Sequence, residues 1–508
     1  MTSNVHSSGI IGIEGFLVDV EVDSGPGAPH FDIVGLPEIS VKEARVRVAA
    51  ALKNTGYPIG GRWITVNLAP ADVRKSGSIY DLPVAMAILV KLGVLSQETV
   101  KNRMFIGELG LGGEVRPVPG VLPMVIAAQQ QGINEVVVPS ANAHEAGLVR
   151  GVRVLATPNL ERLIDFLSTG QGFVEHAPPD FKDQQQYPFD FSEVFGQAHV
   201  KRALEVAAAG RHNCLMIGPP GSGKTMLAKR LVTILPDMSY EESLETTKIY
   251  SVTGTTSNKS YLVSKRPFRS PHHTLSAAAM VGGGSKPRPG EVSLSHNGIL
   301  FLDELPEFKR DVIEVLRQPI EDREITIARA SMCVTYPSNL MLVAAMNPCP
   351  CGYYGDPRHE CTCTREEIVR YRNRISGPLM DRIDIHVDVP SVPFTDLAKR
   401  MPAESSISIR QRVQKARNIQ QQRFSEISAR FNSEMGTREI DRFCKVNDKS
   451  MGLLQIAVDK LGLSARAYER ILKVARTIAD LDGTPGIRTS HVAEAISYRV
   501  IDRKGAGT

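Results

Sequence analysis

The stretch Gly218-Pro219-Pro220-Gly221-Ser222-Gly223-Lys224-Thr225 follows the apolar run Cys214-Leu215-Met216-Ile217 and precedes a helical run that starts at Met226. It fits the pattern G-x-x-x-x-G-K-[ST] between a strand and a helix, in which glycines let backbone N–H groups face phosphate oxygens. In this pattern the lysine reaches the β- and γ-phosphates and the threonine hydroxyl helps to hold Mg²⁺. We therefore predict that residues 218–226 bind a nucleoside triphosphate rather than form an ordinary glycine-rich turn.

A second apolar run, Ile299-Leu300-Phe301-Leu302, ends in the two acids Asp303 and Glu304. This is typical of a buried parallel strand that delivers carboxylates at its carboxyl end. We expect Asp303 to hold Mg²⁺ through water and Glu304 to orient or deprotonate the attacking water. The alternative is a pair of acids at a helix N-terminus.

A third apolar run, residues 340–345, ends two residues before Asn347, whose amide is placed to sense a γ-phosphate. Three such strands separated by helices predict a doubly wound α/β core with its ligands beyond the carboxyl ends of the strands.

Length and composition point to a multidomain chain. Its 508 residues exceed one hydrophobic core, so we expect two to four domains. The net charge of +5 is small for this length and does not by itself indicate a nucleic-acid partner. No apolar run approaches about 20 residues, the length that spans a bilayer. We expect a cytoplasmic protein with no membrane partner.

Four of the seven cysteines form the pattern Cys349-x-Cys351-x₉-Cys361-x-Cys363. Four thiolates suit a tetrahedral, structural Zn²⁺ in a reducing compartment. The one-residue spacing is tighter than usual. Reduced structural thiols and a disulfide pair are the alternatives, and His359 is a possible substitute ligand.

Two further segments accompany the core. Residues 266–291 are basic and glycine-rich, and loops longer than about 12–15 residues are uncommon unless they are functional. Within them, the neighbours His272 and His273 favour hydrogen-bonding roles over a metal site, because adjacent side chains face different directions. Alternating β-branched residues at 324–329 and 331–336 predict a hairpin with Arg329 at its tip.

In order and spacing these motifs resemble the AAA+ superfamily. Over nearly the whole length the chain is similar to the YifB/ComM-type magnesium-chelatase-like AAA+ proteins. The motifs that carry this resemblance are Gly218–Thr225, Arg266–His273, Gly290–Glu304, Asn347–Cys351 and Leu379–Asp384. The resemblance implies that residues 266–291 belong to a helix-2 insert. It also implies that Arg382 is an arginine finger for a neighbouring subunit and that Arg466 is a second sensor near the nucleotide. Taken alone, either arginine is more often a surface ion-pair partner.

By the same resemblance the chain is an ATP hydrolase of the helicase or translocase type, with ATP and Mg²⁺ as cofactors. It would form a homohexamer that acts on single-stranded and branched DNA, with recombination proteins as further partners. The function implied is branch migration that promotes DNA integration during natural transformation and homologous recombination. Lys286, Arg288 and Arg329 would contact DNA, with the hairpin in the central pore. The alternatives are an ATP-driven protein-remodelling ring, a chelatase-type ring without DNA activity and an ATP-dependent protease.

The segment from Leu68 to Gly77, with Asp81-Leu82-Pro83, resembles a Lon-protease-like α/β domain, whose fold is related to the second domain of a ribosomal protein. A Lon-type protease needs a serine activated by a lysine. Ile79 stands where the family has its serine, and no lysine occurs from Asn102 through Phe181. We therefore expect a non-proteolytic domain at 1–175, a linker at 176–190, an AAA+ core with insert and cysteine site at 191–390, and a helical lid at 391–508.

Overall fold

The computed structural model describes residues 2–171, 187–254, 261–284, 287–329, 332–392 and 403–499. The chain divides into two compact units, the first containing Met1–Asp183 with Tyr240–Val263 and the second Gln184–Ser239 with Ser264–Thr508. Both units are mixed α/β structures. None of the helices in the described ranges is long and apolar enough to cross a membrane.

The first unit is built on a seven-stranded sheet with the order β3-β4-β2-β1-β5-β8-β9, beside a small β6-β7 ribbon. Strand β2 pairs antiparallel with both β1 and β4. The other pairs are parallel: β3 with β4, β1 with β5, β5 with β8 and β8 with β9. Val18, Val20 and Val22 occupy alternate positions of β2 and are fully buried, because successive side chains of a strand face opposite sides of the sheet. The strands are β1 Ser3–Ile11, β2 Glu14–Pro26, β3 His30–Val34, β4 Arg62–Ala69, β5 Arg103–Phe105, β6 Glu108–Leu109, β7 Val115–Arg116, β8 Glu135–Pro139 and β9 Arg153–Thr157.

Helices pack on this sheet around one hydrophobic core. They are α1 Ile39–Lys42, α2 Ala44–Asn54, α3 Asp81–Lys91, α4 Gln97–Val100, α5 Val121–Gln130, α6 Ala143–Ala146 and α7 Leu160–Thr169. Helix α3 is almost entirely buried, and its first residue, Asp81, accepts hydrogen bonds from Arg47 Nε at 2.6 Å and Nη2 at 2.9 Å. Ile79 is buried in the same core. An isoleucine there fills volume and offers no nucleophile.

The second unit contains a five-stranded parallel sheet with the order β11-β14-β17-β10-β18. Its strands are β10 Cys214–Ile217, β11 Phe268–Arg269, β14 Ile299–Leu302, β17 Met341–Met346 and β18 Ile385–Asp388. There are also two antiparallel two-stranded ribbons. One pairs β12 Gly282–Gly283 with β13 Arg288–Pro289, and the other pairs β15 Glu324–Arg329 with β16 Met332–Pro337. All four residues of both β10 and β14 are buried. Because the strands are parallel, their carboxyl ends meet at one edge, which carries the predicted nucleotide motifs.

The remaining helices belong to the second unit, with one exception. They are α8 Ala198–Gly210, α9 Lys224–Leu231, α10 Tyr240–Thr253, α11 Ala277–Val281, α12 Glu291–Leu294, α13 Arg310–Glu314, α14 Arg317–Asp322, α15 Arg365–Arg372, α16 Gly377–Met380, α17 Ser406–Arg423, α18 Thr437–Phe443, α19 Asp448–Leu461, α20 Ala465–Leu481 and α21 Thr489–Ser497. Helix α10 is the exception, because it belongs to the first unit. Gly120 N donates to Ser251 O at 3.2 Å, and Lys248 pairs with Glu14 at 2.6 Å.

The four arginines of α17 make contacts within the second unit. Arg410 donates to Thr233 O, Arg412 pairs with Glu205 and Glu404, and Arg423 pairs with Asp480. Arg417 lies 3.9 Å from the centre of the Phe431 ring. These cations hold the helical region against α8 and the rest of the unit, so their abundance in the sequence reflects packing.

Candidate functional site

The phosphate loop turns tightly between β10 and α9. A Cβ atom on Gly218 would lie 2.1 Å from Val389 O, so no side chain fits at that position. Gly221 and Gly223 have φ angles of +75° and +89°, a region that favours glycine. Helix α9 begins at Lys224, which places the helix N-terminus and its free N–H groups at the loop.

Lys224 is held inside this turn. It is 8% exposed, and its Nζ donates to Gly218 O at 2.7 Å, Pro219 O at 2.9 Å and Asn347 Oδ1 at 3.2 Å. Burial lowers the pKa of Lys224, although Asp303 and Glu304 oppose this effect. The two predicted residues Lys224 and Asn347 therefore meet, and phosphate oxygens can take the place of the loop carbonyls as acceptors.

Two oxygen donors lie together beside the lysine. Thr225 Oγ1 donates to Asp303 Oδ2 at 2.6 Å, and Asp303 Oδ1 accepts from Glu304 N at 3.0 Å. Hydroxyl and carboxylate oxygens are the ligands that Mg²⁺ prefers, alongside phosphate and water. This donor set fits a Mg²⁺–nucleotide complex.

His273 is a candidate functional residue whose role the sequence did not indicate. Its Nδ1 lies 3.7 Å from Glu304 Oε2, and its ring meets Phe308 edge-on with centroids 6.4 Å apart. Glu304 itself has a φ of 52°. His273 therefore lies close enough to the Glu304 carboxylate to affect its position. The two residues are 31 positions apart, and no local pattern links them.

The four cysteines form one cluster. The Sγ atom of Cys351 lies 3.3 Å from that of Cys349 and 3.6 Å from that of Cys361, and all four Sγ atoms lie within 4.8 Å of one another. Four sulfurs at 2.3 Å from a tetrahedral Zn²⁺ would be about 3.8 Å apart. All seven cysteines are free thiols, and His359 contacts Asp356 and Tyr353 outside the cluster. The thiols therefore fit one Zn²⁺.

Backbone N–H groups support the same cluster. Tyr354 N donates to Cys349 Sγ and Cys351 N donates to Cys363 Sγ, both at 3.3 Å. Although burial and the neighbouring sulfurs raise the pKa of Cys361 and of Cys363 against a backbone hydrogen bond to each, several hydrogen bonds, led by one from the Tyr353 backbone, lower the pKa of Cys351 to about 6. Such bonds stabilise thiolates, the form that binds a metal.

The loop Cys349–Cys363, here called the cysteine loop, touches the phosphate loop. Gly352 has a φ of +92°, and a Cβ atom on it would lie 2.6 Å from Pro220 Cδ. The cysteine loop also begins two residues after Asn347. The cysteine loop, which carries the candidate zinc site, therefore packs against the phosphate loop.

The predicted arginine finger, Arg382, lies away from Lys224. Asn213, which precedes β10, donates through Nδ2 to Arg382 O at 3.0 Å, so Arg382 lies at the amino ends of the strands. Arg466 is exposed at the start of α20. One turn further along this helix, Arg470 pairs with Asp384 just before β18. The structure does not bring Arg382 to the phosphate loop of its own chain.

The candidate DNA contacts lie on two packed ribbons. Tyr336 of the hairpin donates through its hydroxyl to Pro287 O at 2.8 Å. A Cβ atom on Gly283 would lie 3.3 Å from Arg329 Nη2. Arg288 and Arg329 are both exposed on this pair of ribbons, whereas Lys286 lies outside the described residues.

Comparisons with known proteins cover almost the whole chain. Three family models match, described as Magnesium chelatase, subunit ChlI (190–397), Subunit ChlI of Mg-chelatase (20–142) and Magnesium chelatase, subunit ChlI C-terminal (403–499). Competence protein ComM of Haemophilus influenzae is 44% identical over 505 residues, 98% of this chain and 97% of the relative. YifB of Escherichia coli is 44% identical over 502 residues, 99% of this chain and 97% of the relative. DNA replication licensing factor mcm6 of Dictyostelium discoideum is 22% identical over 323 residues, 59% of this chain and 32% of the relative.

Proposed function

Because the chain belongs to the YifB/ComM family of magnesium-chelatase-like AAA+ proteins, we propose that it is an ATP-driven hexameric DNA motor. Its work would be strand displacement and branch migration during homologous recombination and natural transformation. The observation that carries the proposal is the division of the nucleotide site. Lys224, Thr225, Asp303, Glu304 and Asn347 converge at one edge of the sheet, while Arg382 lies at the other.

A divided site makes assembly part of the chemistry. Phosphoryl transfer needs cations on the developing charge, and an arginine supplied in trans raises the rate by 10³–10⁵-fold in comparable enzymes. Arg382 would serve the nucleotide of the next subunit. Arg466, which is exposed at the start of α20, would act as the second sensor near the nucleotide. In a closed ring every nucleotide site would receive an arginine from a neighbour, since each subunit contacts another.

Within one subunit each residue has a separate task. Lys224 would bind the β- and γ-phosphates once they replace Gly218 O and Pro219 O as acceptors. Mg²⁺, when bound through Thr225 and Asp303, supplies charge on the phosphate oxygens. Glu304 would take the proton of the attacking water after leaving His273. Asn347 would report the γ-phosphate through its contact with Lys224.

The ribbons would convert turnover into movement of DNA. Arg288 and Arg329 are exposed on the packed ribbons, and Lys286 belongs to the same insert. Each phosphate contact adds affinity through released counterions without reading sequence. The similarity to mcm6, named as a DNA replication licensing factor, supports a nucleic-acid substrate.

The remaining parts would be structural. One Zn²⁺ held by Cys349, Cys351, Cys361 and Cys363 would fix the loop under the phosphate site. The predicted domain at 1–175, which lies in the first unit, would be non-proteolytic. The helices from Ser406 onward would form the lid region that moves with the nucleotide state.

The test compares ATP hydrolysis and strand displacement in three proteins: wild type, Lys224→Ala and Glu304→Gln. Lys224→Ala should lose nucleotide binding and turnover, whereas Glu304→Gln should bind ATP, assemble and fail to turn over. Forked duplex and single-stranded DNA should stimulate the wild-type rate. Strand displacement that survives in either variant would refute the motor.

The alternative is a ring that remodels proteins or serves a chelatase, which the three chelatase family models favour. The same ATPase assay separates these functions when an unfolded protein is added in place of DNA. Stimulation by protein alone would replace the motor with a remodelling ring.

A further inference from the structure

Arg382 lies in a cavity of about 250 Å³ at the amino ends of the strands. Five cations and three carboxylates line the cavity: Arg211, Arg323, Arg382, Arg470 and Lys473, with Glu321, Asp384 and Glu434. The surplus of positive charge suits an anion. Arg382 is nevertheless only 6% exposed, so a neighbouring nucleotide cannot reach its guanidinium as it stands.

The guanidinium is held inside by its own chain. Arg382 Nη2 pairs with Glu321 Oε2 at 2.5 Å, and Nη1 donates to Pro378 O at 2.7 Å. Its Nε is buried and has no acceptor among the described residues. A buried donor without a partner is costly. Glu321 therefore holds Arg382 in a position where the guanidinium Nε lacks a hydrogen-bond acceptor.

Glu321 connects this arginine to the hairpin. It lies near the end of α14, three residues before the hairpin begins at Glu324. The intervening Arg323 has a φ of 60°, and its carbonyl accepts from Ser338 N at 2.7 Å, which closes the base of the hairpin. Arg323 also pairs with Glu434 at 3.1 Å. Glu321 thus belongs to the same short segment that fixes the hairpin base.

We propose that Glu321 is a positioning residue that withholds the Arg382 finger from the neighbouring nucleotide until the hairpin binds DNA. The proposal rests on the proposed function, because it assumes a finger acting in trans and a hairpin that meets DNA. Displacement of the hairpin would shift the end of α14 and separate Glu321 from Arg382. The freed guanidinium would then turn toward the γ-phosphate of the next subunit.

The energetics allow such a switch. Glu321 is half exposed, whereas Arg382 is buried. Release hydrates the Glu321 carboxylate, and the guanidinium is not left buried without an acceptor, because it moves to the γ-phosphate. The pair can therefore be broken by a modest movement. A ligand with different affinity for the two arrangements shifts their populations by that difference.

The experiment measures ATP hydrolysis by the assembled full-length protein, with and without single-stranded DNA. Glu321→Gln keeps the shape of the side chain and removes its charge. Asp322→Asn is the matched control, because Asp322 is an exposed acid on the same helix with no hydrogen bond or ion pair in the described ranges. Oligomeric state and thermal midpoint are recorded for each variant.

Glu321→Gln should raise the rate without DNA by roughly two- to fivefold, the range expected for losing a partly exposed ion pair. It should lower the ratio of stimulated to basal rate by a similar factor, while Asp322→Asn changes neither. Glu321→Gln combined with Arg382→Ala should match Arg382→Ala alone. A basal rate that stays the same or falls in assembled Glu321→Gln would overturn the proposal.

Failure of the motor itself gives a different result. If DNA does not stimulate the wild type, the proposed function is wrong, but the basal rate of Glu321→Gln still reports whether Glu321 withholds the arginine. If DNA stimulates the wild type and Glu321→Gln equally, with equal basal rates, then the motor stands and the role of Glu321 is refuted.

Discussion

Replacing Gly352 by alanine tests whether the cysteine loop supports the phosphate loop. The new Cβ atom would lie 2.6 Å from Pro220 Cδ, whereas carbon atoms in contact are about 3.5–4.0 Å apart. The two loops must therefore separate by about 1 Å. Pro220 lies in the turn that presents N–H groups to phosphate, and a displacement of about 1 Å in a catalytic site costs roughly 10²-fold in rate. We expect kcat/KM for ATP to fall by about 10- to 100-fold.

The backbone effect of this substitution needs a separate control. Gly352 has a φ of +92°, so alanine is strained there whatever its neighbours are. Gly355 lies in the same loop with a φ of +79°, and a Cβ atom on it would meet no atom of the described residues within 4 Å beyond its own chain neighbours. Gly355→Ala therefore carries similar strain without the contact, and it should keep nearly wild-type turnover.

The assay is steady-state hydrolysis over a range of ATP concentrations, with zinc content and thermal midpoint measured on the same samples. Equal kcat/KM values in Gly352→Ala and Gly355→Ala, with both proteins folded and zinc bound in both, would refute the coupling between the two loops.

Three other perturbations follow from named contacts. Cys361→Ser should remove about one bound Zn²⁺ per chain by elemental analysis and lower the thermal midpoint, because three thiolates leave a structural site open; full zinc content would exclude the four-cysteine site. Arg329→Ala should weaken binding to all DNA sequences alike and reduce the slope of log K against log salt by about 1, and a sequence-dependent loss would contradict a phosphate contact. Burial acts to raise the pKa of Asp384, but Arg470 and His212 outweigh it, so the folded pKa is lowered. The stability contributed by Asp384 is present above its unfolded pKa of about 3.9 and is lost as the pH falls toward the folded pKa. Asp384→Asn should lower the free energy of unfolding at neutral pH by about 3–5 kcal/mol, because it leaves Arg470 unpaired. In urea titrations the variant should also lose less stability than the wild type as the pH falls, and an equal loss in the two proteins would contradict this role.

The sequence predicts those parts of the site that depend on local pattern. The phosphate loop, the Asp303-Glu304 strand end and the hairpin each have a signature within a dozen residues. Parallel pairing of β10, β14 and β17 then brings Lys224, Asp303 and Asn347 together. Their meeting follows from strand periodicity and from the rule that ligands bind beyond the carboxyl ends of parallel strands.

Contacts between distant segments could not be predicted in this way. Helix α10 has an ordinary helical pattern, and its contacts with α5 and with Glu14 assign it to the first unit. The arginines of α17 look like a free charged face in sequence but pair inside the second unit. The contacts of His273 with Glu304 and of Glu321 with Arg382 likewise join residues far apart in the chain. No periodicity encodes such pairs, because each depends on where two separate elements end.

As the proposed arginine finger, Arg382 would limit how one chain hydrolyses ATP. Strand β18 lies beside β10 in parallel register, with Cys214 opposite Ile385 and Ile217 opposite Asp388. Lys224 follows the carboxyl end of β10, whereas Arg382 precedes the amino end of β18. The four residues between these ends span about 13 Å. While it is paired with Glu321, the Arg382 side chain cannot reach a phosphate at the phosphate loop of its own chain. An isolated subunit should therefore bind ATP and hydrolyse it slowly, so that the rate per subunit rises with protein concentration until rings form.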